Sequence, residues 1–376
     1  MIKSHKIRIY PTREQERSLW NHIGSCRYIW NYMLSYQKEQ YDKGKKHLSA
    51  FDMNKLLKPL RNDGNHEWLR AVSFTSLCHI CRDLDKAYKS FFNKQSGFPK
   101  FKSRKRSKPA YPIRETMYFK DDIVVIEKIG KVRYKTDFTL PQGKAKFTNP
   151  RIANANGKWL LSFGMECESQ VPTLTDKAMG IDLGVKDLAI AAFDETKIVF
   201  SNINKSRRMR MLRDKAKHLQ RTISRKYEAN KRGKVYIKMR NIERNERKLR
   251  QIHTRIANIR NNYIHQTTHS LISLLPCKVV MEDLNVQGMM KNRHLSRAIQ
   301  EQSFSEFIRQ MEYKCEWNDI EFVKANRFYP SSKTCSCCGN VKRNLKLSDR
   351  TYVCDVCGAV IDRDYNAAIN LSRYVA

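Results

Sequence analysis

Three acidic residues that end or begin predicted elements constrain the fold more than any other feature of the sequence. In residues 177–193 an apolar strand presents one carboxylate, Asp182, between two glycines; a β-branched run ends at Glu282, and a predicted helix opens at Asp364. Hard divalent cations such as Mg²⁺ take oxygen ligands, and a two-ion site needs carboxylates from several elements. The pattern predicts a fold that brings these acids together at a metal site; for any one of them, an acidic strand end facing solvent is the alternative.

Charge is the second constraint. The 376 residues carry 73 Lys and Arg against 37 Asp and Glu, a formal net charge of +36. Such a surface repels itself unless a polyanion neutralises it, so nucleic acid is the expected partner. A membrane is the competing polyanion, but the N-terminus lacks a signal-peptide core, and the apolar run at residues 271–281 is interrupted by Pro276 and Lys278. We expect two or three soluble, intracellular domains and no membrane association.

The first hundred residues predict one strand followed by a helical bundle. Residues 3–10 alternate basic and apolar side chains, and Thr12 followed by Gln15 is a capping-box pattern that opens a long amphipathic helix. Residues 49–52 offer a second helix cap, and a third helix is expected over about residues 73–93.

A basic linker and a set of short strands follow the bundle. Residues 97–109 interleave Lys and Arg with aromatic side chains, which favours phosphate contact over a merely solvated loop. Strand patterns occur at residues 117–119, 123–126, 132–134 and 158–163. From these we expect a small β-barrel that residues 3–10 return to complete.

The second half of the chain predicts an α/β domain that carries basic helices. Residues 205–260 contain 21 Lys and Arg against four acids, yet apolar residues recur at helical spacing, so two packed helices with a phosphate-tracking face are expected. The predicted order is three strands, these helices, the strand ending in Glu282, a helix, a strand and a final helix. This is the order of a ribonuclease H-like domain, which positions acids on adjacent strand ends and on one helix.

Four cysteines near the C-terminus form a metal-ligand pattern. They are spaced as Cys-x2-Cys-x15-Cys-x2-Cys: Cys335, Cys338, Cys354 and Cys357. This spacing is typical of a closed, structural zinc ribbon; a redox-active dithiol is the alternative. Cys337 is left spare because its use would break the two-residue spacing. The isolated pair Cys78 and Cys81 is interpreted as core thiols.

Together these motifs resemble the TnpB family of transposon-encoded nucleases, relatives of the type V CRISPR effectors. The resemblance is carried by Gly-Ile-Asp-Leu-Gly-Val-Lys-Asp at 180–187, Glu-Asp-Leu at 282–284, Ser-Ser-Lys-Thr-Cys-Ser-Cys-Cys-Gly at 331–339 and Asp-Arg-Asp-Tyr-Asn-Ala-Ala-Ile-Asn at 362–370. It extends over nearly the whole chain. Its C-terminal motifs are highly specific, whereas the helical bundle is not.

The resemblance implies a multidomain fold with α/β, α and β parts. A wedge β-barrel is expected to be interrupted by a helical recognition domain, and a ribonuclease H-like nuclease domain of the RuvC type by the zinc ribbon. The implied boundaries are 1–10 and 106–175 for the barrel, 11–105 for the helical domain, 176–333 and 359–376 for the nuclease domain, and 334–358 for the ribbon.

The resemblance also implies roles for the acids and cysteines. Asp182, Glu282 and Asp364 are the implied catalytic acids and Mg²⁺ ligands, with two ions expected, and the four ribbon cysteines are expected to hold one structural Zn²⁺. Asp362, two residues earlier, competes for the third position. Asp364 is preferred because the family pattern places the acid two residues before an asparagine, here Asn366.

The implied activity is RNA-guided cleavage of double-stranded DNA. The resemblance implies a guide RNA derived from the transposon end, one protein per RNA, a short adjacent DNA motif, and a prokaryotic cytoplasmic protein that is nucleoid-associated when bound to DNA. Two other functions stay open. A guided DNA-binding regulator without cleavage is disfavoured by the intact acids, whereas an autonomous transposase would share the same fold and triad.

Candidate nucleic-acid contacts follow from the resemblance and from charge. By resemblance, those for the adjacent DNA motif are Phe51, Thr75, Ser76 and His79. By charge, those for the nucleic-acid backbone lie in the basic linker: Lys100, Lys102, Arg104, Lys105 and Arg106.

Overall fold

The structure is a computed structural model that describes residues 2–167, 172–233, 235–346 and 349–375. The chain separates into two units, residues 1–168 and 169–376, each with its own sheet and apolar core. The predicted barrel segment 106–175 includes residues 168–171, which lie outside the described residues. No helix in the described part of the chain has the length and apolar character that crossing a membrane requires.

The N-terminal unit consists of a strand, three α-helices and a further set of strands. In chain order they are β1 (Ile2–Tyr10), α1 (Arg13–Asp42), α2 (Ala50–Leu60), α3 (Phe74–Phe92), β2 (Ala110–Pro112), β3 (Thr116–Lys120), β4 (Ile123–Ile126), β5 (Gly130–Lys135), β6 (Gly143–Lys146), β7 (Thr148–Ala155) and β8 (Lys158–Glu166).

Side-chain caps fix where these helices begin. The Thr12 nitrogen donates to Gln15 Oε1 (3.0 Å) and the Gln15 nitrogen donates to Thr12 Oγ1 (3.3 Å), which confirms the predicted capping box. Ser49 and Asp52 form a second capping box at α2, and the Ser73 hydroxyl caps α3. The predicted helix starts are therefore confirmed, because each cap satisfies backbone donors that the first turn leaves unpaired.

The strands of this unit form one antiparallel sheet in the order β2-β7-β8-β1-β5-β4-β3-β6. β1 lies inside the sheet, where Ile9 is opposite Trp159 of β8 and Tyr134 of β5. Residues 2–10 therefore do return to the later strands. The sequence patterns found β3, β4, β5 and β8 but missed β2, β6 and β7. β7 was missed because a left-handed Asn149 (φ 48°) and Pro150 lie near its start.

The C-terminal unit alternates strands with helices. In chain order its elements are β9 (Ala178–Leu183), β10 (Asp187–Phe193), β11 (Thr196–Ser201), α4 (Arg207–Ala229), β12 (Lys231–Arg232), β13 (Val235–Tyr236), α5 (Arg240–Ile272), β14 (Lys278–Glu282), α6 (Val286–Met289), α7 (Ser296–Gln302), α8 (Phe304–Trp317), β15 (Glu321–Ala325), β16 (Thr351–Val353), β17 (Val360–Asp362) and α9 (Arg363–Ser372). The two predicted basic helices are confirmed as α4 and α5, which pack through Met209, Leu212 and Ile256.

The main sheet of this unit has the order β11-β10-β9-β14-β15. β9, β10 and β11 are antiparallel neighbours, whereas β14 runs parallel to both β9 and β15. Side chains alternate between the two faces of a strand. Met179 and Ile181 of β9 therefore share one face, where they are buried together with Leu271 of α5 and with Phe307 and Met311 of α8.

The opposite face of the sheet is covered by α9, which packs unusually close to β9 at Gly180. A Cβ atom at Gly180 would lie 2.0 Å from the Ala368 carbonyl oxygen and 2.3 Å from the Ser372 nitrogen. Only glycine allows this approach. The contact fixes α9, with Asp364 in its first turn, against the face of β9 that also carries Asp182, two residues beyond Gly180.

We predict that Gly180→Ala displaces α9 and destabilises the protein by an amount near the upper end of about 1–3 kcal/mol, because the new methyl group would overlap helix backbone rather than a flexible side chain. Equilibrium denaturation of the full chain measures this. Gly24→Ala is the matched control: among the described residues its Cβ would meet nothing within 4 Å, and in the interior of α1 alanine is favoured over glycine by about 1 kcal/mol. Equal stability of Gly180→Ala and wild type would contradict the prediction.

Candidate active site and metal centre

Strand register brings the first two acids together. In the parallel pair of β9 and β14, Val280 is opposite Gly180 and Met281 is opposite Ile181. Continuing this register by one residue places Glu282 beside Asp182, at the C-terminal ends of both strands. Because side chains alternate, both carboxylates lie on the face that α9 covers.

The third acid comes from the start of α9, where two aspartates must be distinguished. Asp362 is the N-cap of α9: its Oδ1 accepts from the Tyr365 nitrogen at 3.0 Å and lies 3.5 Å from the Lys197 ammonium. Asp364 lies in the first helical turn. It accepts two hydrogen bonds from Arg363 on Oδ1 (3.1 and 3.2 Å), and its Oδ2 is 3.8 Å from Arg350. Asp362 is therefore occupied by helix capping.

The three carboxylates interact electrostatically. Burial raises the pKa of Asp182 well above its ordinary value, and the negative charges of Glu282 and Asp364 raise this pKa further, whereas Arg363 opposes them. Mutual repulsion of this kind is relieved when a cation binds between the acids. The donor set therefore fits a hard divalent ion, which prefers carboxylate oxygens.

The acids do not form a closed cage for one ion. Within the described residues, the cysteine sulfurs are the one set of three or more potential ligand atoms that all lie within 4.8 Å of one another. Mg²⁺, however, is usually held by one or two carboxylates and keeps its remaining positions for water and substrate phosphate. An open acidic edge fits that use better than a cage would.

The four predicted cysteines do converge. Cys335 Sγ is 3.6 Å from Cys357 Sγ, and Cys338 Sγ is 3.5 Å from Cys354 Sγ. A tetrahedral zinc ion with Zn–S bonds of about 2.3 Å separates its sulfurs by about 3.8 Å, so the set fits Zn²⁺. Cys337 is exposed and is not a member of the set.

Backbone groups shape the turns that carry these sulfurs. The nitrogens of Val356 and Cys357 both donate to Cys354 Sγ at 3.5 Å, and these bonds lower the pKa of the Cys354 thiol to about 6. Each turn closes on a glycine with positive φ, Gly339 (75°) and Gly358 (71°). The thiolate is the form that binds metal, so a thiol that ionises readily is suited to be a metal ligand.

The predicted DNA-motif contacts divide by exposure. Phe51 is 68% exposed, with the Lys55 ammonium 4.5 Å above its ring, and Thr75 is partly exposed. Ser76 and His79 are buried, and His79 Nε2 lies 3.3 Å from Glu115. The structure therefore presents two of the four side chains to solvent and encloses the other two.

The basic linker divides in the same way. Lys100, Arg104, Lys105 and Arg106 are exposed, as backbone contacts should be. Lys102 instead places its ammonium 3.4 Å from the ring centroid of Trp30, and burial lowers the pKa of this lysine. A cation–π contact of this kind gives Lys102 a structural role that the sequence pattern did not indicate.

Sequence reasoning also missed the groups that contact the acids. Arg350 and Arg363 contact Asp364, and the Ser331 hydroxyl donates to Oε1 of Glu282. The sequence offered one signal for Ser331 and Arg363: they lie inside the motifs at residues 331–339 and 362–370. The pairing of Ser331 with Glu282 spans 49 residues and needs the fold to become visible.

The fold is that of a multidomain protein with mixed α/β architecture, and the three acids and the four cysteines are its two candidate metal centres. Over 371 residues the chain is 31% identical to the "Putative RNA-guided DNA endonuclease" of Streptomyces pristinaespiralis, covering 98% of this chain and 88% of that relative. The chain belongs to the TnpB family of transposon-encoded, RNA-guided nucleases, relatives of the type V CRISPR effectors.

Other relatives agree. InsQ of Escherichia coli K12, with the same descriptive name, is 29% identical over 98% of this chain and 91% of its own length. The CRISPR-associated endodeoxyribonuclease Cas12f1 of Sulfoacidibacillus thermotolerans is 28% identical, over 57% of this chain and 50% of its own.

Three family models match separate parts of the chain. They are described as "Helix-turn-helix domain" (residues 1–46), "Probable transposase" (162–293) and "Cas12f1-like, TNB domain" (304–371). In this chain the described part of the first region is not two short helices: β1 is followed by α1, which is 30 residues long. The third region contains all four converging cysteines and Asp364.

We predict that the purified protein carries one zinc ion and that Cys354→Ser loses it, because three cysteines leave the tetrahedral set incomplete. Elemental analysis of the folded protein measures this. Cys337→Ser is the matched control and should keep the zinc, since Cys337 lies outside the set. A folded wild-type protein without zinc would show that the set does not bind the metal, and loss of zinc in Cys337→Ser would show that the ligands are assigned wrongly.

Proposed function

We propose that this protein is an RNA-guided DNA endonuclease of a transposon, which hydrolyses DNA phosphodiesters at Asp182, Glu282 and Asp364. The observation that carries the proposal is that acids from two strand ends and one helix start meet on one face of the sheet, in a chain of the TnpB family. Likeness to relatives described as RNA-guided DNA endonucleases runs over nearly the full length of this chain.

The three acids would hold two Mg²⁺ ions, which would activate the attacking water and stabilise the leaving oxygen of an in-line displacement. The residues of the chain prepare the site for this charge. Burial and the neighbouring acids raise the pKa of Asp182, and a bound cation would oppose this shift, because it would favour the carboxylate form. Arg350 and Arg363 contact the Asp364 carboxylate. Their guanidinium groups would form charge-assisted hydrogen bonds with a phosphate that approaches the acids.

The finer domain assignments belong to this proposal. The strand order β11-β10-β9-β14-β15, in which β10 runs opposite to the other four strands and helices cover both faces, supports a ribonuclease H-like domain of the RuvC type. The four-cysteine segment between β15 and α9 supports a zinc ribbon inserted in it. The antiparallel sheet around β1, with α1, α2 and α3 between its first and later strands, supports a wedge β-barrel interrupted by a helical recognition domain.

Charge supports a guide RNA as the constant partner. The excess of 73 basic side chains over 37 acids is larger than one DNA site requires, since specific complexes commonly neutralise about 6–10 phosphates. In guided nucleases base pairing reads the sequence, and protein contacts follow the backbone. A transposon-derived RNA sets the target in this proposal, and a short adjacent DNA motif would be read by the N-terminal unit.

Two alternatives make different predictions. A guided regulator without cleavage would not need the acids to converge, so the geometry at Asp182 disfavours it. An autonomous transposase would use the same acids but would cut without an RNA.

We predict that Asp364→Ala abolishes cleavage while nucleic-acid binding persists, because it removes a metal ligand and no basic surface. Asp362→Ala is the matched control. It should keep cleavage and lose the helix cap and the contact with Lys197, a destabilisation of about 1 kcal/mol that comes chiefly from the cap. Plasmid cleavage and filter binding compare the two variants; full activity in Asp364→Ala would sink the assignment.

We also predict that DNA cleavage requires a bound RNA. The protein is purified free of nucleic acid, its copurifying RNA is added back with the guide segment replaced, and cleavage of matched and unmatched plasmids is followed in Mg²⁺. Cutting should occur only on the plasmid that the new guide matches. Efficient cutting without RNA, or cutting indifferent to the guide, would favour the autonomous transposase.

A further inference from the structure

We propose that Ser331 is a positioning residue that holds Glu282 for metal binding, and that α9 and the four-cysteine set hold Ser331 in turn. This rests on the proposed function, since it assigns a new residue to the same site. It also gives the four-cysteine set a defined physical link to the acids.

The first link is the hydrogen bond between Ser331 and Glu282. The Ser331 hydroxyl donates to Oε1 of Glu282, and Ser331 is only 2% exposed. A buried donor on one carboxylate oxygen fixes the rotamer of the glutamate and leaves the second oxygen available. Partners of this kind, behind the ligands themselves, set the orientation and affinity of many metal sites.

The second link is a pair of asparagines that hold the segment around Ser331. Asn370 donates through Nδ2 to the carbonyls of Ser331 and Thr334, both at 2.7 Å. Asn366 donates to the Thr334 carbonyl at 2.7 Å and accepts from the Ser336 nitrogen at 2.9 Å.

These asparagines are built into the helix that carries Asp364. Asn366 and Asn370 are 0% and 5% exposed and stand one turn apart, on the same side of α9. Four hydrogen bonds from one side of α9 therefore hold residues 331–336 in place.

The third link is the cysteine set itself. Cys335 lies inside the held segment, and its carbonyl accepts from the Gly339 nitrogen at 2.9 Å within the first metal-binding turn. The cysteine set thus fixes one end of residues 331–336, the end that contains Cys335. At the other end, Ser331 donates its hydrogen bond to Glu282. Asp364 extends from the same helix. Two of the three acids are consequently placed by α9, one directly and one through Ser331.

The test measures metal affinity separately from cleavage. Mn²⁺ binding to the full-length, RNA-free protein is followed by electron paramagnetic resonance, and the share of binding that Asp182→Ala lacks defines the acidic site. Ser331→Ala should weaken this share about 10–100-fold, the usual effect of removing such a partner. Ser331→Thr should restore it, because the hydroxyl remains. Zinc content should be unchanged in both variants.

Two further variants separate positioning from general destabilisation. Ser336→Ala changes a buried serine of the same segment whose hydrogen bonds run through its backbone, so its Mn²⁺ affinity should equal that of wild type. Asn370→Ala keeps the Ser331 hydroxyl but frees its segment, so it should weaken Mn²⁺ binding even if Ser331→Ala proves unstable. Wild-type Mn²⁺ affinity in a folded Ser331→Ala, or equal losses in Ser336→Ala, would overturn the proposal.

The two proposals fail in different ways. If wild type binds Mn²⁺ at the acids but does not cleave DNA with its RNA, the proposed function fails and the role of Ser331 can stand. If wild type cleaves, and Ser331→Ala requires no more Mg²⁺ than wild type for half-maximal cleavage, the role of Ser331 fails alone.

Discussion

The close packing of α9 on β9 at Gly180 is the contact on which the C-terminal unit depends. With backbone atoms of the helix only 2.0 and 2.3 Å from where a Cβ would stand, the helix lies directly on the sheet. Its apolar residues Ala368 and Leu371 are buried against the strands. Its polar residues Asn366 and Asn370 form hydrogen bonds with residues 331–336. One short helix therefore joins the sheet, the acids and the cysteine set, so its distance from β9 sets the geometry of all three.

The acidic site is a negatively charged region in a protein whose net charge is strongly positive. A chain with a net charge of +36 places three carboxylates on one sheet face, and burial together with repulsion raises the pKa of Asp182. Such an arrangement is unfavourable without a cation, because each ionised carboxylate disfavours the next. The surrounding basic surface has a complementary effect, since it attracts the nucleic-acid backbone whose phosphate must reach the acids.

Features that are local in sequence could be predicted, and features that depend on long-range contacts could not. The capping box at Thr12, the cysteine spacing and the strand that carries Asp182 each follow from a few neighbouring residues, and the structure forms all three. A turn expected at Gly180 was wrong, because this glycine lies inside β9. Burial of His79 could not be predicted, because its contact with Glu115 joins residues that are distant in sequence and only the fold brings them together. The hydrogen bond from Ser331 to Glu282 could not be predicted either, because the two residues are 49 positions apart and only the fold brings them together.

The choice between Asp362 and Asp364 shows how local structure can resolve what a motif leaves open. Asp362 is the N-cap and has a non-helical backbone (φ −58°, ψ 128°), whereas Asp364 lies in the first turn of the helix. Asp362 accepts from the Tyr365 nitrogen and lies near Lys197, so its direction is set by the cap, whereas the charge of Asp364 acts on Asp182. Capping therefore starts α9 at a defined residue and engages Asp362, which leaves Asp364 as the acid whose charge reaches Asp182.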